Sequence, residues 1–179
     1  FQENGLCFAA DVVAGQNTGF FLDQGDNRAR VETLAAGKSV LNVFAYTGGF
    51  SLYAARGGAA LTASLDISEP ALQAATYNFT LNMANRAVAA AKHELILGDA
   101  FAEMADLKHN GRSFDMVIID PPSFAKKQAE VERALGAYER LVQLGLAVLR
   151  PGGTLVMASC SSRVSAEEFA NLVVKTARQ

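Results

Sequence analysis

Met116-Val117-Ile118-Ile119 runs straight into Asp120-Pro121-Pro122-Ser123-Phe124, and the junction between the two decides the fold. The first half is apolar and β-branched without polar alternation, as in a strand buried on both faces of a parallel sheet. Each proline fixes φ and lacks an N–H, so the chain leaves the strand as a stiff, extended segment. Its carbonyls are free to accept hydrogen bonds, and Asp120 is held where the strand ends. On its own, Asp120-Pro121-Pro122 suits either a rigid strand exit or a ledge for a flat ring that carries an amino group.

The alternation of strand and helix extends on both sides of this junction. Val40–Phe44, Leu61–Ile67, Glu94–Leu97, Met116–Asp120 and Thr154–Ala158 read as successive strands. Helical spacing covers Phe50–Arg56, a stretch from the N-cap Ser68 to about Asn85, and Ala100–Leu107. A longer helix from about Ala129 to Leu149 is stopped by Arg150-Pro151-Gly152-Gly153, and Ser165-Ala166-Glu167-Glu168 is a capping box that opens the last helix. Upstream, residues 6–13 and 18–22 read as two strands joined by Ala14-Gly15-Gln16-Asn17, before a helix from about Arg28 to Ala36. The expectation is an N-terminal β-hairpin extension, 1–30, on a Rossmann-like α/β domain, 31–179, with a mainly parallel sheet covered by helices on both faces.

Bulk properties narrow the function classes. With 50% apolar and 19% charged residues in a chain of 179, one substantial soluble core is expected. No apolar run approaches the roughly 18–20 residues that span a bilayer, and no signal peptide is visible, which points to the cytoplasm. Two cysteines, Cys7 and Cys160, do not make a disulfide framework. A net charge of −2 argues against coating nucleic acid by bulk electrostatics, although a local patch could still meet RNA.

In an open parallel sheet, ligands sit outside the carboxyl ends of the strands. The glycine-rich and polar signals fall there: Ala45–Gly49, Asp66, Asp99, Asp120 and Ser159–Ser161. The loop Phe44-Ala45-Tyr46-Thr47-Gly48-Gly49-Phe50 is a poor match to G-x-G-x-x-G, since Tyr46 and Ser51 take the outer glycine places when Gly48 is central. A dinucleotide pyrophosphate is therefore disfavoured, and S-adenosylmethionine, which has no phosphate, is favoured. Asp66 can accept both hydroxyls of a ribose, and Asp99 is placed either to accept from an adenine amino group or to cap the helix at 100–107.

Four linked stretches then carry a family resemblance. Thr18-Gly19-Phe20-Phe21-Leu22-Asp23-Gln24, Asn42-Val43-Phe44-Ala45-Tyr46-Thr47-Gly48-Gly49-Phe50-Ser51, Asp120-Pro121-Pro122-Ser123-Phe124-Ala125-Lys126 and Ser159-Cys160-Ser161 together resemble the RlmI-like class I methyltransferases. The best-known members of that family make 5-methylcytosine in 23S ribosomal RNA. The resemblance implies S-adenosylmethionine as cofactor, with contacts from Gln24, Phe44, Tyr46, Thr47, Gly48, Asp66, Ile67, Asp99, Ala100 and Asp120. It implies Cys160 and Asp120 as catalytic residues, with Pro121, Pro122, Phe124, Lys126 and Arg163 toward the RNA. No metal is implied. Family members also carry an RNA-binding PUA-type domain and a terminal strand pair, both expected to be missing from a sequence that stops at Gln179. The strand around Leu155–Ala158 would then present an open edge, prone to self-association. Gly25 stands where the family usually has arginine, which leaves open the charge contact that arginine makes.

Carbon 5 of a pyrimidine is a poor nucleophile until a thiolate adds at carbon 6, and Cys160 sits where such a thiolate is needed. Its flanking serines suggest an accessible loop, against the common reading of a cysteine as a buried packing residue. Methylation of an exocyclic amine, which would not need Cys160, and a non-catalytic cofactor- or RNA-binding module are the alternatives. Cys7 reads as structural, and His93 and His109 read as surface residues.

Overall fold

The computed structural model describes residues 1–9 and 20–178. Strands β3 (Ser39–Val43), β4 (Leu61–Asp66), β5 (Lys92–Leu97), β6 (Phe114–Ile119) and β7 (Leu149–Met157) form a fully parallel sheet in the order β5-β4-β3-β6-β7. Alternate residues of the central strands feed two different cores, as a period of two requires. Leu41, Val43, Val117 and Ile119 face α5 (Ala100–His109) and α6 (Val131–Ala147). Val40, Met116 and Ile118 face α1 (Gly25–Leu34) and α2 (Gly49–Arg56). Helices α3 (Glu69–Leu81) and α4 (Arg86–Ala90) complete the second layer, and α7 (Ala166–Ala177) packs on α6.

Local signals explain most boundaries. The Ser68 hydroxyl accepts from the Ala71 N–H at the start of α3, and Ser165 and Glu168 form the expected capping box on α7. The helix expected to run from Ser68 to about Asn85 instead stops at Leu81. Asn85 starts the separate helix α4, its side-chain oxygen accepting from the N–H groups of Ala87 and Val88.

The N-terminal hairpin exists, but of the expected strand 6–13 only Leu6–Cys7 takes part, with Gln2–Glu3 as its partner, and residues 10–13 lie outside the described residues. Strands β1 (Gln2–Glu3) and β2 (Leu6–Cys7) pair antiparallel about Asn4-Gly5, whose φ angles of 48° and 81° are those of a type I′ turn. The expected strand at 18–22 is not formed by its described part. Phe20 is buried among Phe1, Phe8 and Arg28, whereas Phe21 and Leu22 are exposed, and Leu22–Gln24 is a 3₁₀ turn leading directly into α1. The proposed turn Ala14–Asn17 and residues Thr18-Gly19 lie outside the described residues.

His93 is also not a surface residue. It lies on β5, stacked on Phe79 with ring centroids 3.8 Å apart, and burial pushes its pKa down to about 4. Its Nε2 lies 3.0 Å from Ser64 Oγ, which contacts Ser51 Oγ at 2.7 Å; Ser51 in turn accepts from Asn42. This polar chain crosses the α2 face of the sheet and ties three strands together. His109 is exposed, as expected.

Candidate active site

The chain leaves β3 toward β4 on one side and later returns to β6 on the other, so a crevice opens where the two directions part. The loop above β3 is bent by three left-handed residues, Phe44 (φ 60°), Tyr46 (φ 48°) and Gly48 (φ 76°). Left-handed backbone costs a non-glycine residue roughly 1–2 kcal/mol, and such strain persists where surrounding bonds over-determine it. Here the Tyr46 N–H donates to Asp66 Oδ2 (2.8 Å), Ala45 N–H to the Leu65 carbonyl (2.9 Å) and Asn78 Nδ2 to the Thr47 carbonyl (2.9 Å). Gly48 is required twice over, by its φ and because a Cβ would stand 2.8 Å from that of Ala75. The close approach at Gly48 is thus made by α3, and Gly48 itself does not line the cleft.

The cleft is a cavity of about 330 Å³. It gathers Gln24, Phe44, Tyr46, Thr47, Asp66, Ile67, Asp120, Pro121, Pro122 and Cys160 from the sequence-derived site. Neighbouring strands explain the grouping, because Ile119 is in register with Met157 and the Ala158 N–H bonds to the Ile119 carbonyl. That pairing sets Cys160 beside the Asp120 loop, with its thiol 3.6 Å from the Pro121 carbonyl oxygen. Ile67 is 73% exposed and presents an apolar surface at the mouth.

Besides Gly48, five predicted residues fall outside this lining. Asp99 caps α5, one oxygen accepting from Phe101 and Ala102 N–H groups, and Ala100 is buried beneath it. Phe124 and Lys126 line a separate trough, and Arg163 is exposed on the loop after β7. The serines beside Cys160 are not a free loop. Tyr138 OH contacts Ser159 Oγ at 2.7 Å and Ser161 Oγ at 2.8 Å, and Ser161 accepts from the Phe124 N–H. They pin the loop and leave Cys160 exposed between them.

Asp23, Arg28, Phe20, Phe21, Gly49 and Ser68 also line the cleft, beyond the residues expected there from the sequence. Asp23 stands in the Thr18–Gln24 motif, next to Gln24, so its signal was present. Arg28 gave none: it reaches the cleft only because α1 starts at Gly25. It is 3% exposed and held by Glu3 through two bonds of 2.7 and 2.9 Å. A side chain at Gly25 would begin 3.2 Å from that Glu3 carboxylate.

The lining therefore holds three carboxylates, Asp23, Asp66 and Asp120, against one arginine already paired with Glu3. Burial, with the neighbouring Asp23 charge, pushes Asp120 up to about 6, and Arg28 only partly offsets this. Burial and then the Asp120 charge raise the Cys160 thiol as well. Such a lining repels phosphates and attracts a cation.

A family profile described as S-adenosylmethionine-dependent methyltransferase matches residues 1–179. The chain belongs to this methyltransferase family. A ribosomal RNA large subunit methyltransferase of Deinococcus radiodurans is 52% identical over 179 residues, covering all of this chain and 43% of that protein. Ribosomal RNA large subunit methyltransferase I of Aliivibrio fischeri is 40% identical over 176 residues, covering 98% of this chain and 43% of that one. The chain spans less than half the length of these relatives. Among solved structures, SMU.776 complexed with SAH superposes with a TM-score of 0.83 at 32% identity, covering 97% of this methyltransferase chain and 45% of that one. The fold is thus the Rossmann-like methyltransferase fold with a small N-terminal hairpin. No helix among the described residues is long and apolar enough to cross a membrane.

Proposed function

We propose that this chain is the catalytic part of a cytoplasmic RNA methyltransferase that transfers a methyl group to carbon 5 of a cytosine in 23S ribosomal RNA. The acidic cleft supports the cofactor half of this reading. S-adenosylmethionine carries a sulfonium, and three carboxylates without a free cation suit it better than any phosphate-bearing ligand. Asp66, already fixed by two backbone N–H groups, would hold the ribose hydroxyls, and exposed Ile67 would cover the adenine. The left-handed loop would bring its backbone to the amino-acid end, with Gln24 beside it. Bound there, the cofactor supplies an electrophilic methyl group.

The single observation that carries carbon over nitrogen is the exposed Cys160 on the same cleft as Asp120. The thiol must lose its proton to add at carbon 6, which makes carbon 5 nucleophilic; loss of the carbon-5 proton later expels it. Asp120 and the ledge Pro121-Pro122 would grip the polar edge of the base. With a pKa near 6, Asp120 can exchange a proton at neutral pH as charge develops on the ring. Phe124, Lys126 and Arg163 lie further out, toward the RNA strand.

The test uses full-length protein, cofactor and ribosomal RNA containing 5-fluorocytidine, whose fluorine blocks release. Wild type should form a denaturant-stable protein–RNA adduct, and Cys160→Ala should form none. Undiminished methylation of ordinary RNA by Cys160→Ala would sink the adduct and favour an exocyclic amine. Absence of cofactor binding by calorimetry would favour a non-catalytic module.

A further inference from the structure

We infer that the trough between α6 and the loop after β6 seats the phosphodiester backbone of RNA next to the base that enters the cleft. This rests on the RNA reading above and adds to it a binding surface on this chain.

The trough has a volume of about 620 Å³ and begins at Ser123, directly after the Pro122 that lines the cleft. A strand whose base lies over Pro121-Pro122 therefore has its next phosphates at this opening. Arg133, Gly136, Ala137 and Arg140 line it at i, i+3, i+4 and i+7, so all four share one face of α6. Lys126 faces them from the loop. Among the described residues none of these three cations has an ion-pair partner. Arg140 rests over the Phe101 ring at 5.0 Å, which leaves its guanidinium edge available to an anion. The one acidic residue in the lining, Glu130, has an oxygen occupied by the backbone N–H groups of Lys126 and Lys127, at 2.8 and 3.0 Å. A chain of net charge −2 thus sets three cations against one carboxylate beside its cleft, with the charges of Lys126 and Arg133 acting on Glu130 and Arg140 left over.

Gly136 supplies an independent observation. Glycine inside a helix is unfavourable, and a Cβ there would meet no atom within 4 Å. Packing does not demand the glycine. Its effect is to keep the floor of the trough open between Arg133 and Arg140, so that a chain can lie against the helix. Phosphates positioned by arginine and lysine fix the register of a strand without reading its sequence, which matches a surface of this kind.

The experiment measures binding of an unmodified large-subunit RNA transcript to full-length protein across a salt series, with calorimetry of S-adenosylmethionine alongside. Arg133→Ala/Arg140→Ala should weaken RNA binding by about 10-fold or more near 100 mM salt and flatten the log–log salt slope by about 0.7 for each phosphate no longer neutralised. Cofactor affinity should not change. Gly136→Gln should raise the melting temperature yet weaken RNA binding, opposite signs that a merely structural role would not give. RNA affinity and slope equal to wild type in both variants, with cofactor binding intact, would overturn the proposal and leave the methyl-transfer reading standing. A shifted melting temperature of the double variant with unchanged RNA affinity would assign the RNA backbone to another segment of the protein, and also overturn it. Wild type that neither binds nor methylates the transcript overturns both.

Discussion

Burial and the Asp23 carboxylate raise Asp120 from a usual value near 3.8 to about 6, so folding takes up a proton there between those two values. Since the native state binds more protons than the unfolded one in this window, stability falls as pH rises through it and stays lower above. At about 1.36 kcal/mol per pKa unit the penalty is roughly 3 kcal/mol. Asp120→Asn should therefore stabilise the unliganded protein by about that much at pH 8 and hardly at all near pH 4, as read from urea unfolding at the two pH values. Equal stability of variant and wild type at pH 8 would show that the carboxylate bears no such cost. Burial first, and then the same Asp120 charge, also raises the Cys160 thiol, so both oppose the thiolate that the proposed reaction needs. Asp66, Asp120 and Cys160 were all readable from the sequence because each follows a strand, and strand ends converge in a parallel sheet. Asp99 follows a strand too, but its β5 lies beyond β4, away from the crevice, and its carboxylate is used as a cap.

The hairpin and α1 illustrate where element reading fails. Asn-Gly is a strong hairpin signal, yet the strands it joins are only two residues each and leave almost no alternation to detect. Phe20-Phe21-Leu22 imitates a strand, although only Phe20 reaches the core. What fixes these elements is long-range: Glu3 of β1 accepts two bonds from Arg28 of α1 and one from Tyr53 of α2, at 2.6 Å. Burial works against the Glu3 charge, but the bonds from Arg28 and Tyr53 outweigh it and hold its pKa below the usual range. Arg28→Ala leaves a carboxylate largely buried without its cation and should cost about 3–5 kcal/mol at neutral pH. The contribution of Glu3 is complete above the ordinary carboxylate pKa of about 4.3 and is lost as pH falls through the depressed native value. The gap between Arg28→Ala and wild type should accordingly narrow in acid. A gap that stays constant down to pH 2 in denaturation curves would mean that the ion pair is not its origin.

At the scale of the whole molecule, the strand–helix alternation and crossover rules led to the parallel sheet, the two helical layers and the crevice at the carboxyl ends. They could not give the strand order, which decides which edges stay open. Among the described residues the order leaves β5 and β7 as the two edges, and the two differ in chemistry. Edge β5 carries Lys92 and Glu94, paired with each other, with Arg112 on the same carboxylate. Charges of this kind oppose edge-to-edge addition. The run Thr154-Leu155-Val156-Met157 of β7 has no charge and is only half-buried. We therefore expect residues 1–179, expressed alone, to self-associate through β7. Sedimentation should show a dimer that grows with concentration, and Thr154→Lys, which places a charge on that edge, should return it to monomer. If wild type remains monomeric at the highest soluble concentration, neither edge is adhesive and the expectation fails; if Thr154→Lys leaves the dimer intact while a charge-removing Lys92→Ala strengthens it, the surface lies on β5 rather than β7.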